Sequence, residues 1–180
     1  MTGSQAPYQD AEAFRQLYTR THLIVFRFVY GLHSGPQQEV EDLTAETFLR
    51  AWKARQRFNG TKDAAIGWLI RIARNLVIDM HRRKMTHGAE LQFDENYLAT
   101  SEAGPEDQLA FRQQMEVAWN LLHTLPDEQR EIIVLRYMLD WPVNRIAEHM
   151  GMLENTVSVT MRRSLIRLRK QMQVDVEIND

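Results

Sequence analysis

Val143-Asn144-Arg145-Ile146-Ala147-Glu148-His149-Met150-Gly151-Met152-Leu153-Glu154-Asn155-Thr156-Val157-Ser158-Val159-Thr160-Met161-Arg162-Arg163 reads as a helix, a tight turn and a second helix. Ile146, Ala147 and Met150 form one inner face, and Ala147 is small where a second helix must cross closely. Gly151 supplies the positive φ that a turn directly after a helix requires. Leu153 is expected to plug the angle between the helices, and Glu154 to Thr156 open the second with polar, cap-capable side chains. Val157, Met161, Leu165 and Leu168 are then expected inward, leaving Ser158, Val159, Arg162, Arg163 and Arg169 outside. A helix presented in this way fits a DNA major groove. Many helical hairpins with a glycine turn bind nothing, but here Arg162, Arg163, Arg167, Arg169 and Lys170 gather behind the turn.

Upstream of this stretch, Asp140-Trp141-Pro142 breaks the chain after an expected helix from Glu128 to Leu139. Thr124-Leu125-Pro126-Asp127 reads as a stop and restart after a helix that begins near Glu106 and carries Leu109, Val117, Trp119, Leu121 and Leu122. Between Met85 and Pro105 periodicity fades while Gly and acids accumulate, the composition of a linker. From Asp10 to Arg83 apolar residues return at three- and four-residue steps, first as Phe14, Leu17, Tyr18 and then as Leu23, Phe26, Val29, Tyr30. Gly31 to Gln38, with its Gly-Pro, interrupts them. A helix follows over Glu39 to Arg57 with Val40, Leu43, Phe48, Ala51 and Trp52 inward. Phe58-Asn59-Gly60-Thr61 is turn chemistry, and another helix runs from Ala64 to Lys84 over Ile66, Leu69, Ile70, Ala73, Leu76, Val77 and Met80. No strand alternation and no internal repeat interrupts this all-α pattern.

The charges sharpen the division. Net charge is only −2, yet residues 1–86 hold thirteen Lys and Arg against eight acids, whereas 87–115 hold Arg112 against six acids. A basic front can engage phosphate, and the acidic middle is repelled by it. The 180 residues suit two small domains. The absence of cysteine removes disulfides, thiolate metal sites and cysteine nucleophiles. No leader-like or membrane-length apolar run is present, so secretion and membrane insertion are not expected and a cytoplasmic location is.

A second chemical signal lies in Gly67-Trp68-Leu69-Ile70-Arg71-Ile72-Ala73-Arg74-Asn75-Leu76-Val77-Ile78-Asp79-Met80-His81-Arg82-Arg83-Lys84. Arg71, Arg74 and Asn75 project on one side, and Arg82, Arg83 and Lys84 extend the positive charge. Cations for a backbone and planar or amide groups for unstacked bases are what single-stranded DNA requires. The plainer alternative is a core Trp68 with arginines that only solvate the helix.

With these residues in view, Asp42-Leu43-Thr44-Ala45-Glu46-Thr47-Phe48-Leu49-Arg50-Ala51-Trp52, then the Trp68 to Lys84 string, then Leu125-Pro126 with the helix-turn-helix, resemble in order and spacing the extracytoplasmic-function group of sigma-70 family sigma factors. The resemblance spans about Ala11 to Lys170. It implies two small helical domains joined by a flexible acidic linker: a sigma-2-like bundle over 10–86, a linker over 87–108 and a sigma-4-like domain over 109–173. It also implies no enzymatic activity and no cofactor or metal. The partners it implies are core RNA polymerase (the clamp coiled coil of the beta-prime subunit and the beta flap), promoter DNA and an anti-sigma protein.

By the same resemblance Asp42, Leu43, Glu46 and Phe48 bind the polymerase, although Phe48 equally suits a buried core, and the family often has Gln where Ala45 stands. Asn59, Trp68, Arg71, Arg74, Asn75, Arg82 and Arg83 fall to the minus-ten element, a flipped base being captured near the Ile72-Ala73-Arg74-Asn75 stretch, with the preceding loop Asn59 to Asp63 also implicated. Arg145, Thr156, Ser158, Val159, Arg162 and Arg163 fall to the minus-thirty-five element. The family usually carries more basic residues where Ser158 and Thr160 stand. In related proteins the linker threads toward the polymerase cleft, where Asp94 and Glu95 would mimic nucleic-acid charge.

Rival readings weigh less. The six histidines show no metal-ligand spacing, and carboxylate pairs such as Glu41-Asp42 and Asp127-Glu128 sit at helix starts, where they complement the dipole. A free-standing DNA-binding regulator has no need of the Asp42 to Trp52 helix. A polymerase-binding protein that never touches DNA has no need of Arg71, Asn75 and Arg162 on outward faces.

Overall fold

The computed structural model describes residues 8–33, 35–87 and 117–178; for residues 84–87 and 174–178 the backbone alone is described. The chain divides into two units. The N-terminal unit contains α1 (Ala11–Leu32), α2 (Gln37–Ala54) and α3 (Ala64–His87), with a 3-10 turn at Arg55–Arg57. The C-terminal unit contains a helical stretch over 117–123, here α4, followed by α5 (Asp127–Tyr137), α6 (Val143–Met150) and α7 (Glu154–Ile178). Among the described residues there is no strand, as the absence of period-two patterning implies. The start of the expected linker belongs instead to α3, whose last residues are 85–87, and the rest of it, Asp94 and Glu95 included, lies outside the described residues, as do the expected helix start near Glu106 and Leu109.

α1 starts where Asp10, in extended backbone, accepts the Ala13 N–H at 2.8 Å. Its buried face is Phe14, Leu17, Thr21, Val25, Phe28, Val29 and Leu32. Tyr18 and Leu23, expected inward, are exposed by 45% and 49%. One continuous helix fixes a single 3.6-residue register through Val25 and Phe28, and that register puts Leu23 on the far side. Most of the expected inner faces of α2 and α3 are buried, Val40, Leu43, Phe48 and Ala51 on α2 and Leu69, Ile70, Ala73, Leu76 and Val77 on α3, whereas Trp52, Ile66 and Met80, also expected inward, are half-buried.

α2 ends at Ala54 rather than at the expected Arg57. The Arg55 guanidinium lies over the Trp52 ring at 3.4 Å and donates to the Trp52 and Gln9 carbonyls, which tightens the last turn. Large rings space α1 from α2: Phe14 meets Trp52 edge-on at 5.1 Å and Tyr18 meets Phe48 at 4.8 Å.

In the C-terminal unit α5 is the central helix, with Arg130 to Leu135 all buried. It ends at Tyr137, two residues before the expected Leu139, because Leu139 and Trp141 N–H groups turn back to the Val134 and Leu135 carbonyls around Asp140 at φ 52°. α6 closes as expected on Gly151, at φ 67°. The Met152 and Gly151 N–H groups return to the Ala147 and Glu148 carbonyls, a Schellman closure that a residue with a Cβ adopts only under strain.

Candidate nucleic-acid and polymerase interfaces

α2 turns two kinds of residue in opposite directions. Leu43 and Phe48, both assigned by resemblance to polymerase binding, are about 95% buried and hold the helix to its neighbours. Asp42 and Glu46 remain at the surface, where Asp42 accepts from Gln38 at 3.3 Å and Glu46 pairs with Arg50 at 2.8 Å. Both contacts join residues four apart on a solvated helix face and are weak enough to exchange for an incoming cation. Leu49, exposed by 45%, lies between these acids and Lys53 on the outer side of α2. The sequence reading passed over Leu49; the register set by Val40, Thr44, Thr47 and Ala51 would have found it.

Beside these residues runs a groove of ≈ 230 Å³, lined by Asp42, Leu43, Glu46 and Arg50 of α2 and by Leu76, Asp79, Met80 and Arg83 of α3. Arg83 therefore stands with the α2 acids and not with its neighbour Arg82. On α3 the outward line is Arg71, Asn75 and Arg82, all exposed, with the half-exposed Arg74 alongside. The helix carries cations and an amide on one solvated strip, opposite the buried Leu69, Ala73, Leu76 and Val77.

Trp68 has a different job from those four. It is half-buried and stacks on Phe58 with ring centres 4.6 Å apart. Phe58 is itself buried and holds up the turn that leads into α3. A Cβ on Gly60 would come within 2.7 Å of the Phe58 ring, so only glycine lets the turn fold over that ring without displacing it. Asn59, Thr61, Lys62 and Asp63 are thereby left exposed at the N-terminal end of α3, where Thr61 caps the Ala64 N–H.

In the C-terminal unit, Ile146 and Ala147 of α6 and Val157 of α7 are buried. Two expectations fail there. Leu153 does not plug the inter-helix angle: it is 76% exposed. Leu165 is 40% exposed, and the inward position belongs to Ser164, which is fully buried. Counting 3.6 residues per turn from Val157 reaches Ser164, and apolarity alone pointed one residue too far. Ser164 is tolerated because its hydroxyl donates to the Thr160 carbonyl at 2.9 Å, with Gln129 of α5 at 3.3 Å.

Polar groups hold this unit's helices to one another. Arg130, 7% exposed, donates to the Leu122, His123 and Leu125 carbonyls at the end of α4 and pairs with Asp127 at 3.3 Å. Burial lowers the guanidinium's pKa, and the Asp127 charge opposes that shift. Glu131 of α5 and His149 of α6, both nearly fully buried in their side chains, approach to 3.4 Å. The His149 ring meets Trp141 edge-on at 5.4 Å, and Arg145 lies over the other part of that contact, 4.0 Å from the Trp141 ring centre. Arg145 is thus held at the start of α6. Thr156, Val159, Arg162 and Arg163 are exposed on α7, and Ser158 is half-exposed at its flank.

Among the described residues no group of three or more His, Asp or Glu could hold a metal ion, and no described helix is long and apolar enough to cross a membrane.

Comparison with known proteins agrees with both units. The family model for Sigma-70 region 2 matches residues 17–86 and that for Sigma-70, region 4 matches residues 115–168, together more than two thirds of the chain. The ECF RNA polymerase sigma factor SigL of Mycobacterium tuberculosis is 28% identical over 170 residues, covering 94% of each chain. In fold, the chain is similar to CnrH in its complex with the cytosolic domain of CnrY, with a TM-score of 0.71, 22% identity and coverage of 96% and 95%. It is also similar to the sigma factor RpoE of Bartonella quintana in its complex with the anti-sigma factor NepR, with a TM-score of 0.66, 22% identity and coverage of 92% and 99%.

Proposed function

This chain belongs to the extracytoplasmic-function group of the sigma-70 family, and we propose that it engages core RNA polymerase through the outer face of α2 and reads promoters with α3 and α7. As a sigma factor it is a transcription initiation factor with no enzymatic activity of its own. The observation that carries the proposal is the separation of chemistries on the N-terminal unit: acids and Leu49 on α2, cations and Asn75 on the outward strip of α3.

On this reading Asp42, Glu46 and Leu49 meet the clamp coiled coil of the beta-prime subunit. Leu43 and Phe48 act from beneath by fixing the helix. Arg71, Arg74, Asn75 and Arg82 hold the unpaired strand of the minus-ten element, with Asn59 at the edge of the base pocket and Trp68 bracing the turn that carries it. Contacts made only to the unpaired strand shift the duplex equilibrium toward opening, so melting needs no hydrolysis. The sigma-4-like domain over residues 109–173 meets the beta flap and sets α7 in the major groove of the minus-thirty-five element, where Thr156, Ser158, Val159 and Arg162 face bases and Arg145 and Arg163 face phosphates. An anti-sigma protein holds the factor inactive in the cytoplasm, a reading supported by the complex of the Bartonella RpoE, a protein of the same fold, with the anti-sigma factor NepR.

Transcription from genomic DNA fragments with purified core polymerase tests this. Specific transcripts are expected only when the chain is added, and Asn75→Ala is expected to lower their yield while polymerase binding persists. Retention of DNA fragments without any association with polymerase would replace the proposal with a free-standing regulator.

A further inference from the structure

From the register of α7 we infer that Asn155, counted in the sequence only among the cap-capable residues that open the helix, is a specificity-determining residue that selects an adenine in the upstream promoter element. The inference rests on the minus-thirty-five reading proposed above. The buried positions Val157 and Ser164 define the inner side of α7, with Met161 and Leu168 half-buried beside them. The line opposite runs through Asn155, Val159, Arg162 and Ile166, spaced four, three and four residues apart, and all four are exposed. That line is what a helix laid in a major groove turns toward the base edges.

It is roughly 16 Å long at 1.5 Å per residue, and the N-terminal residues of a recognition helix are the ones that reach bases. Asn155 and Val159 therefore face the groove floor, and Ile166 lies toward the exit.

The chemistry of the line is unusual for its surroundings. Its flanks carry Arg163, Arg167 and Arg169, yet the two residues deepest in the groove are an amide and a branched aliphatic. An asparagine amide matches the N6 donor and N7 acceptor of adenine in a bidentate pair, and an aliphatic side chain one turn on suits a thymine methyl. Glu154, which opens that first turn, is off the line and complements the N-terminus of the helix. The side chain of Asn155 makes no hydrogen bond among the described residues, so its amide is presented unspent.

Holoenzyme reconstituted from core polymerase and the full chain would be presented with promoter DNA whose upstream element is randomised, and the retained sequences read. Wild type is expected to prefer adenine at one position. Asn155→Ala should lose that preference by about fivefold or more at that position alone, and Asn155→Arg should shift it toward guanine. Unchanged preferences in Asn155→Ala, or an equal loss of binding on every sequence, would overturn the inference while the wild type still selected its element. A wild-type holoenzyme that selects no upstream sequence would overturn the minus-thirty-five reading itself and this inference with it.

Discussion

The proposed function gives each of the two units a reading helix, and the two helices stand on differently built interiors. In the N-terminal unit the interior is mostly apolar and ring-rich: Phe14, Phe28, Phe48 and Phe58 are buried, Thr21, Thr44 and Thr47 spend their hydroxyls on carbonyls of their own helices, and a polar contact between helices, the buried His33 against Glu39 at 2.6 Å, ties the end of α1 to α2 at its edge. In the C-terminal unit Arg130, Glu131 and Ser164 are buried beside Ile132, Leu135 and Ile146. Apolar contacts are non-directional and tolerate small rotations of a helix. Hydrogen bonds are directional, so the bonds from Arg130 to the end of α4, with the buried 3.4 Å approach of Glu131 to His149, fix how α4 and α6 meet α5. A helix-turn-helix whose second helix must enter a groove at one angle has more use for that rigidity than a bundle that captures a flexible strand.

The difference can be broken from either side. Phe28 is fully buried, and Phe28→Ala is expected to lower the stability of the N-terminal unit by about 4 kcal/mol. Scanning calorimetry should show one transition fall while that of the C-terminal unit stays; a common fall of both would mean that the units do not unfold separately. Arg130→Ala should do the converse. It leaves three carbonyls at the end of α4 without their donor and is expected to lower the C-terminal unit by about 3 kcal/mol, without moving the N-terminal transition. A loss under 0.5 kcal/mol on the order of a surface substitution would show that water replaces the guanidinium. Gly151→Ala is the smallest of the three, about 1 kcal/mol from forcing a Cβ residue to the positive φ of the turn. Because it acts at the junction of α6 and α7, it should reduce retention of upstream promoter DNA by more than that stability loss explains.

These residues also show what the sequence could and could not reveal. Gly151 was legible because one backbone conformation, open to glycine, follows from a helix that stops where another must start. The inner faces of α2 and α3 were legible because each has an unbroken apolar stripe. Leu23, Leu153 and Leu165 were misread for one reason: apolarity was taken as burial, although folded proteins leave many apolar side chains at the surface. Ser164 was missed as its mirror image, a polar residue that burial tolerates once its hydroxyl finds the Thr160 carbonyl. The split between Arg82 on the outward strip of α3 and Arg83 in the groove beside α2 is invisible in a run of basic residues. Helix register separates them, and register became certain only with the elements packed. Leu43 and Phe48 show the same limit on α2: a motif names residues that matter without saying which would touch a partner and which hold the helix still.

The central claim is that polymerase binding and DNA reading are divided between α2 and α3 of one small unit. Affinity for core polymerase, measured by fluorescence with labelled chain in the absence of DNA, tests it most directly for Glu46→Lys beside Asn75→Ala. Glu46→Lys is expected to lose binding by at least tenfold, and Asn75→Ala to bind as the wild type does. Equal affinities for Glu46→Lys and wild type, or equal losses in both variants, would contradict the division.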